Sequence, residues 1–522
     1  MAQRRRKVSV RRFPFCRGVV VDLAAVLLAR GIVSAVVASS GFIALSDDDF
    51  ARTVIAQRFA QTPALDPSGT SWLPVPFWGV GMLMAVAGST WQVARVAAVL
   101  AGLLASVLTW SAARLLGLSR SSALLGTLLT LGLPHAALLG VAAVPDYPTA
   151  ALVLLTAASL VPAAGAPEAV RFRLLGAGSL FLATLSRYEA WPVAATFALV
   201  VIHEGVTARA PPAAGPSSGS EPRKSSSDAP RAGLTVYWSL AAAGLGVLGP
   251  TLWLLHGQVR HGEALFFLKR VAAYEAALGG PVSPWIDRAL AAPWAVVHWH
   301  PGLMGAAALL LTAGLALRIP LRHWFRPALL LGAIMVFLIA GDLRGAGATH
   351  HEERSLLPLW MAACLFCGDV VLRLARRSSP VRYGFSAALA TWLLLAWTWL
   401  EPSERAWQRF AQRDSELAIG EAARALVRPG ERLLIDTPDY GFFAVMAAFG
   451  WPSDAAPLSD NDPRGKPQQN PTASVASLRL ATAGARWLVV HRTHRSLALS
   501  LGAPRAACGD FTLVDLHPRS AR

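Results

Sequence analysis

Charged residues are scarce in this chain. Asp, Glu, Lys and Arg make up 15% of its 522 residues, and hydrophobic residues make up 54%. A soluble domain has about 25% charged residues. Apolar runs long enough to cross a bilayer, about 20 residues each, recur along the sequence. The composition therefore excludes an ordinary soluble protein and predicts a polytopic, all-α membrane protein.

Cysteine is also rare, with four residues in the chain. Cys16 and Cys508 are isolated, and Cys364 and Cys367 form a C-x-x-C pattern inside an apolar helix. A zinc or redox site would need further ligands close by. We therefore interpret Cys364 and Cys367 as small packing residues on one helix face. The cysteine pattern gives no indication of a disulfide framework.

Acidic residues are fewer than basic ones, and the net charge is +17. Nucleic-acid binding would require a basic surface with stacking aromatic residues, and no loop combines the two. The arginines lie between apolar segments instead, which is typical of the cytoplasmic loops of membrane proteins. We therefore predict no nucleic-acid partner, membrane lipids as neighbours, and a basic cytoplasmic tail at residues 1–18.

The alternation of apolar segments and arginines predicts about eleven spanning helices within residues 19–401. Residues 75–88 are apolar but too short to span, so they are predicted to form a juxtamembrane helix within a first outer loop, residues 46–90. The Pro-, Ser- and Gly-rich residues 208–232 predict a flexible cytoplasmic linker. Residues 256–293 are predicted to form a second large outer loop.

The last part of the chain, residues 402–522, is predicted to be a small extracytoplasmic α/β domain. Short apolar runs at Arg432–Ile435, Trp487–Val490 and Phe511–Val514 are typical of buried strands. An odd number of spans and a cytoplasmic N-terminus place this domain on the outer side of the membrane.

Three consecutive aspartates follow the first predicted span. Ser46 and Asp49 fit a capping box at the start of a surface helix, and Asp49 is the residue we expect to act as the cap. Asp47 and Asp48 are candidates for a general base, since a carboxylate at the membrane surface can accept the proton of an attacking hydroxyl.

Further polar clusters lie on predicted outer segments, and each has a structural alternative. An arginine there can bind a phosphate, but it can also close a tight turn by an ion pair or contact anionic lipid. Adjacent histidines on a helix point about 100° apart and rarely share a metal ion, so no metal ligands are assigned and a divalent cation stays open. The candidates for substrate binding are Trp72, Asp146, Arg187, Tyr188, Glu189, Lys269, Arg270, His351 and Arg354.

Three features resemble one enzyme family. They are the acidic motif Asp47–Asp49, the Pro-rich run Trp72–Pro76, and the Arg-Ser-Leu-Leu-Pro entry to a late helix, Arg354–Pro358. Together they resemble the GT-C membrane glycosyltransferases, in the bacterial branch related to protein O-mannosyltransferases and lipid A aminoarabinose transferases.

The resemblance implies an inverting transfer from a polyprenyl-phosphate-linked sugar, in the bacterial inner membrane. It implies that Asp47 or Asp48 is the base. The basic residues that it implies for the leaving phosphate are Arg187, Lys269, Arg270 and Arg354. The aminoarabinose branch has a basic residue directly before paired prolines, where this chain has Ser71 and Trp72 before separated prolines. The sugar and the acceptor therefore stay open.

Two other classes of function compete with a transferase. One is a transporter or flippase for a lipid-linked substrate, which would usually carry ionisable residues in mid-membrane and repeat symmetry. The other is a non-enzymatic envelope assembly factor that binds its partner through the C-terminal domain. The concentration of polar clusters on one predicted face favours the transferase.

Overall fold

The protein is described by a computed structural model that covers residues 17–162, 168–207, 229–277, 279, 283–344, 352–376, 384, 413–459 and 471–517. Most of the predicted basic tail, linker and last span (384–400) lies outside these residues, as does His351.

The first half of the described chain is helical. Its helices are α1 (Arg17–Ser39), α2 (Asp47–Gln61), α3 (Val75–Ala87), α4 (Trp91–Leu115), α5 (Arg120–Leu131), α6 (Pro134–Leu139), α7 (Asp146–Ser159), α8 (Ala169–Thr184) and α9 (Ala190–Thr207). The helices that follow are α10 (Ala229–His261), α11 (Phe266–Ala277), α12 (Trp285–Trp299), α13 (Pro301–Ala316), α14 (Phe325–Arg344), α15 (Glu352–Ser355) and α16 (Leu357–Ala375).

The helices confirm a multi-pass membrane protein. Among the described residues, six are long and apolar enough to cross a membrane, and a bent pair raises this number to seven. They lie in α1, α4, α9, α10, α14 and α16, and the bent pair is α12 and α13. Helices α5, α7 and α8 have 12, 14 and 16 residues, short of a full span. The count of about eleven spans therefore stays a prediction.

Two predicted spans differ from the structure because prolines interrupt them. The sequence predicts a third span that is continuous and kinked at Pro134, but the chain ends α5 at Leu131 and begins α6 at Pro134. A predicted span over residues 295–317 is likewise divided at His300 into α12 and α13, which meet at 91°. Proline lacks the N–H that would continue a helix, and it fits the first helical turn.

The C-terminal part is a mixed α/β unit, as predicted. Its elements are α17 (Asp414–Leu426), β1 (Leu433–Asp436), α18 (Phe442–Phe449), β2 (Ala455–Pro457), α19 (Val475–Ala481), β3 (Trp487–His491), α20 (Arg495–Leu499), β4 (Ala503–Cys508) and β5 (Phe511–Asp515).

The described strands form one five-stranded sheet in the order β2-β1-β3-β5-β4. β1 pairs in parallel with β2 and β3, and β5 pairs antiparallel with β3 and β4. The sequence predicts β1, β3 and β5, whose residues are buried in succession. It misses the edge strands β2 and β4, which carry prolines and partly exposed residues.

The C-terminal unit packs directly on α2, α3 and α4. Phe50, Met84 and Trp91 share one apolar cluster with Phe442 and Phe449. Polar contacts cross the same boundary, since the Gln57 side-chain amide donates to the Ala447 carbonyl at 2.8 Å. These contacts fix the N-terminus of α2, with its aspartates, against the C-terminal unit.

The helices of the bundle approach closely where glycines meet. A Cβ on Gly102 of α4 would lie 2.2 Å from the Gly140 carbonyl oxygen, and one on Gly368 of α16 would lie 2.8 Å from the Gly126 Cα of α5. Membrane helices use such small residues to gain packing contacts that lipid cannot supply. The close packing joins α4 to the turn after α6 and joins α16 to α5.

Candidate functional site

The first turn of α2 presents its three aspartates to three different surroundings. Ser46 is the N-cap, and Asp49 completes a capping box. The Asp49 carboxylate is fully buried. It accepts from the backbone N–H groups of Leu45 and Ser46 at 3.2 and 3.1 Å, and from that of Ala143 at 2.7 Å. Burial raises the pKa of Asp49 to about 6. The capping alternative is therefore confirmed for Asp49.

Asp48 lies beside a buried arginine. Its Oδ2 is 3.6 Å from the Arg354 guanidinium, and its side chain is 39% exposed while that of Arg354 is 4% exposed. The guanidinium also donates to Ser46 Oγ at 3.0 Å. The Arg354 Nε is buried and has no hydrogen-bond partner in the described part of the chain. The structure thus brings together an accessible carboxylate and an incompletely satisfied cation, which the sequence places 306 positions apart.

Asp47 is held by the C-terminal unit instead. The Arg413 guanidinium contacts both of its carboxylate oxygens, at 3.1 and 3.2 Å. Arg413 also donates to Glu416 at 2.7 Å and to both oxygens of Asp439 at 2.8 and 2.9 Å. Burial raises the pKa of Asp47, although the Arg413 charge opposes the shift. The sequence gives no signal for Arg413, because this contact depends on the packing of two distant segments.

Arg187 is the centre of an ion-pair network. Its guanidinium donates to the Glu189 oxygens at 3.0 and 2.6 Å and also contacts Asp146 Oδ1. The Ser355 hydroxyl accepts from Arg187 at 3.2 Å and donates to Glu189 at 2.6 Å.

This network corresponds to the ion-pair alternative considered for the sequence Arg187–Glu189. Burial alone would raise the pKa of Glu189, but the Arg187 charge and the hydrogen bonds from Arg187 and Ser355 outweigh it and lower the pKa. Asp146 Oδ2, which is buried, has no hydrogen-bond partner among the described residues. The network joins the starts of α7 and α9 to α15.

Arg52 is a further cation of this site that the sequence analysis does not include. Its guanidinium lies 4.5 Å from the Trp72 ring centroid and 5.8 Å from that of Phe77. Its Nε is buried without a hydrogen-bond partner in the described chain. Burial lowers the pKa of Arg52, while the Asp48 and Asp146 charges oppose the shift. The i,i+4 spacing from Asp48 to Arg52 places both residues on one helix face. This spacing is the feature of the sequence that could have indicated Arg52.

Trp72 and Tyr188 connect the loop before α3 to α10 and α11. The Tyr188 hydroxyl donates to the Ser71 carbonyl at 2.6 Å and accepts from the Trp253 indole N–H at 3.0 Å. Its ring stacks on Phe267 with 4.4 Å between centroids. Trp72 covers the Arg52 guanidinium. An aromatic wall therefore borders the charged groups.

Lys269 and Arg270 lie on α11, within the residues 256–293 that are predicted to form the second large outer loop. The Lys269 ammonium pairs with Glu263 at 2.8 Å, and 75% of its side chain is exposed. Arg270 is half-buried. The structure does not bring Lys269 into the Asp48–Arg354 cluster. Phe267, on the same helix, belongs to the aromatic wall.

The site therefore concentrates charge at one end of the bundle. Three guanidinium groups, on Arg52, Arg187 and Arg354, face the carboxylates of Asp48, Asp146 and Glu189. Arg187 pairs with two carboxylates, those of Asp146 and Glu189. In contrast, Arg52 and Arg354 each have a buried Nε without a hydrogen-bond partner in the described structure. Such a site has the capacity to bind an anion at Arg52 and Arg354 while Asp48 accepts a proton.

Comparisons with known proteins concern the family and the fold. Residues 67–211 match the model of the dolichyl-phosphate-mannose-protein mannosyltransferase family. No curated protein sequence matches the chain.

Solved structures give longer matches. ArnT from Cupriavidus metallidurans bound to undecaprenyl phosphate has a TM-score of 0.58 and 14% identity, and the match covers 95% of this chain and 97% of ArnT. Its apo state gives the same values. The oligosaccharyltransferase AglB from Archaeoglobus fulgidus is similar with a TM-score of 0.48 and 11% identity, over 91% of this chain and 71% of AglB. The fold assignment rests on the ArnT structures. The chain therefore has the fold of ArnT, which is the GT-C fold.

Proposed function

We propose that this protein transfers a sugar from a polyprenyl-phosphate-linked donor to an acceptor hydroxyl at the extracytoplasmic face of the bacterial inner membrane, with inversion at the anomeric carbon. The observation that carries this proposal is the contact between Asp48 and Arg354, which places a solvent-accessible carboxylate next to a buried, partly unsatisfied cation. The family match and the fold support the class of reaction.

Asp48 is the base in this scheme. It accepts the proton of the acceptor hydroxyl as the hydroxyl oxygen attacks the anomeric carbon and the carbon–oxygen bond to the phosphate breaks. General-base catalysis of this kind contributes about 10²–10⁴-fold in rate. Asp47 shares the first turn, but its two oxygens are already bound by Arg413. We therefore favour Asp48 over Asp47.

Arg354 and Arg52 bind the lipid phosphate in this scheme. When the glycosidic bond breaks, the leaving phosphate gains negative charge, and fixed cations stabilise that charge without reorganising. Each of the two has a buried Nε that a phosphate oxygen would satisfy. The undecaprenyl phosphate bound to ArnT supports a polyprenyl phosphate as the carrier here.

Arg187 has a positioning role in this scheme. It binds Glu189 bidentately and contacts Asp146, so a direct phosphate contact would require it to exchange one of these carboxylates. Ser355 joins this network and is the neighbour of Arg354 in α15. We assign Arg187, Asp146 and Glu189 the role of fixing Arg354 in place. Fixed geometry supplies much of the acceleration in reactions between two bound substrates.

The remaining candidates border the donor. Trp72 and Tyr188 form the aromatic wall that would face the sugar or the first isoprene units. Lys269 and Arg270 on α11 would contact anionic lipid headgroups or the approaching lipid phosphate. The extracytoplasmic position of the site is also part of the proposal. The C-terminal unit and α2 lie at the same end of the bundle, so the proposal places both on the outer side of the membrane.

The test uses the full chain reconstituted in lipid nanodiscs. The protein is incubated with a panel of undecaprenyl-phosphate-linked sugars (mannose, glucose and aminoarabinose) and a membrane extract as acceptor, and released undecaprenyl phosphate is measured by mass spectrometry. We expect release with at least one donor, and its loss in Arg354→Ala and Arg52→Ala. Absence of release with every donor, or full activity in both variants, would refute the proposal. A periplasmic reporter fused at Gly430 tests the topology, and a cytoplasmic signal there contradicts it.

A further inference from the structure

The parallel strands of the C-terminal unit end at a position that the proposed reaction does not use. β1 lies between β2 and β3 and is parallel to both. Helices α17 and α18 pack on one face of these strands, and α19 and α20 pack on the other. In open α/β sheets of this kind, ligands bind outside the carboxyl ends of the strands, where the strand order reverses. Here that position is the β1–β3 end, formed by residues 436–440 and 491–495.

The β1–β3 end adjoins the first turn of α2. Asp439, which follows β1, accepts from the Arg413 guanidinium at 2.8 and 2.9 Å. The same guanidinium contacts both carboxylate oxygens of Asp47, the residue next to Asp48. One arginine side chain therefore bridges the β1–β3 end and the helix turn that carries the proposed base.

Two histidines after β3 present complementary hydrogen-bonding groups. The Nδ1 of His491 lies 3.0 Å from the Thr493 hydroxyl and accepts from the Thr493 backbone N–H, so Nε2 carries the proton of the neutral ring and is a donor. The Nδ1 of His494 lies 2.8 Å from Asp436 Oδ2. Because an ionised carboxylate only accepts, this Nδ1 donates, and the Nε2 of neutral His494 is an acceptor.

The β1–β3 end is accessible and carries an ionised carboxylate. The side chains of Asp439 and His494 are 52% and 33% exposed, and His491 is half-buried. Burial alone would raise the pKa of Asp439, but hydrogen bonds from Arg413 and Gly441 and the charges of Arg413 and His491 outweigh it and lower the pKa. Asp439 is therefore ionised at neutral pH.

The charges at this position favour a neutral ligand. Arg413 already faces the three carboxylates of Asp47, Glu416 and Asp439. Arg492 pairs with Asp510 at 3.2 Å. An anion would meet the exposed Asp439 carboxylate and cations that are already paired, whereas a hydroxyl can donate to the carboxylate without repulsion.

We propose that the acceptor of the transfer is a neutral, hydroxyl-rich carbohydrate group that binds at the β1–β3 end through Asp439, His491 and His494. Asp439 and the Nε2 of His494 accept from sugar hydroxyls, and the Nε2 of His491 donates to one. A hydroxyl donates and accepts at once, so neighbouring hydroxyls on a sugar ring match this set. The inference rests on the proposed function, since it names the acceptor class of the transferase and places it beside Asp47 and Asp48.

Binding is measured without a donor, on the full-length protein in lipid nanodiscs, by saturation-transfer NMR. The probes are four neutral trisaccharides (mannotriose, maltotriose, galactotriose and chitotriose), with a Ser/Thr-rich peptide and inorganic phosphate measured in parallel. We expect at least one trisaccharide to bind, with an affinity at least about tenfold weaker in the double variant His491→Ala/His494→Gln, which loses two hydrogen bonds to the sugar. Glutamine at position 494 keeps a donor for the buried Asp436 carboxylate.

The matched control is His517→Ala. It removes an exposed histidine that follows β5. Because β5 is antiparallel to β3, this histidine lies at the opposite end of the sheet. The control should bind the trisaccharide as tightly as the native protein does.

Titration of the membrane-extract acceptor separates acceptor binding from folding. The double variant should need at least about tenfold more extract for half-maximal release of undecaprenyl phosphate, while its maximal rate stays within about twofold of the native rate. Its affinity for undecaprenyl phosphate should be unchanged. A purely structural role would instead lower the maximal rate and the unfolding temperature, and that result overturns the proposal.

Three results of the binding measurement also overturn it. They are binding of no trisaccharide, equal affinity in the native protein and the double variant, and binding of the peptide or phosphate alone. Each leaves the transferase proposal untouched, because no donor is present in that measurement. Absence of release with every donor refutes the transferase proposal instead, and the binding measurement still decides whether the β1–β3 end holds a carbohydrate.

Discussion

The substitution Asp48→Asn tests the proposed mechanism most directly. Asparagine keeps the size of the side chain and removes its ability to accept a proton. If Asp48 is the base, the turnover rate should fall by about 10²–10⁴-fold, which corresponds to about 3–5 kcal/mol of activation free energy.

The same substitution should change stability much less. The Asp48 side chain is 39% exposed and lies 3.6 Å from Arg354, so the pair is partly screened by solvent and contributes about 1 kcal/mol or less. Arg354 keeps its hydrogen bond to Ser46 Oγ at 3.0 Å. A loss of activity this much larger than the loss of stability would place Asp48 in the reaction itself.

Binding of undecaprenyl phosphate provides the third measurement. Removing a negative charge beside the proposed phosphate ligands should leave its affinity unchanged or raise it, because the two anions no longer repel each other. The matched control is Asp414→Asn, an exposed carboxylate beside Arg413, which should keep full activity. An Asp48→Asn protein that retains more than about one-tenth of the native rate contradicts the assigned role, as does one whose defect is confined to weaker phosphate binding.

Three other predictions follow from the surrounding contacts. Arg187→Ala should destabilise the protein by about 3–5 kcal/mol in thermal unfolding, because it leaves Asp146 and Glu189 buried without their cation; an unfolding temperature equal to that of the native protein would show that the network is not structural. Tyr188→Phe should cost about 1–2 kcal/mol, since it removes two hydrogen bonds but keeps the stacked ring, and an unchanged stability would contradict those contacts. Asp49 should make stability fall as pH rises from about 4 to 6, by up to about 3 kcal/mol, because burial raises its pKa from 3.8 to about 6 and the folded state holds a proton that the unfolded state has released; Asp49→Asn should remove this part of the slope.

The sequence predicts the membrane class, the short surface helix α3 and the central strands of the C-terminal sheet, because each depends on a local pattern. Helix α3 is apolar over 13 residues, which are too few to span a membrane. Strand β3 is a continuous apolar run without polar alternation, because both of its faces are buried. The sequence cannot predict that the chain interrupts its helices at Pro134 and Pro301. A proline permits either a kink or a break, and the packing of the neighbouring helices determines which one forms.

The contacts of the site depend on long-range packing, and this limits prediction from sequence. Arg354 and Asp48 are both candidates from their positions in the sequence, but only the fold shows that they meet. Arg52 was missed although it lies four residues after Asp48. Its charge is covered by Trp72 and Phe77, and such a cation–π arrangement has no fixed spacing in sequence.

The three aspartates show how one helix turn assigns distinct roles to identical residues. Successive residues on an α-helix point about 100° apart. Asp49 therefore turns toward the backbone of Leu45 and Ala143, and Asp47 turns toward Arg413 of the C-terminal unit. Only Asp48 combines exposure with a cation from the membrane bundle. The two flanking aspartates hold the first turn of α2 at both sides, so the carboxylate between them is fixed relative to Arg354. This division of roles also explains why the capping box and the general base are compatible interpretations of the same three residues.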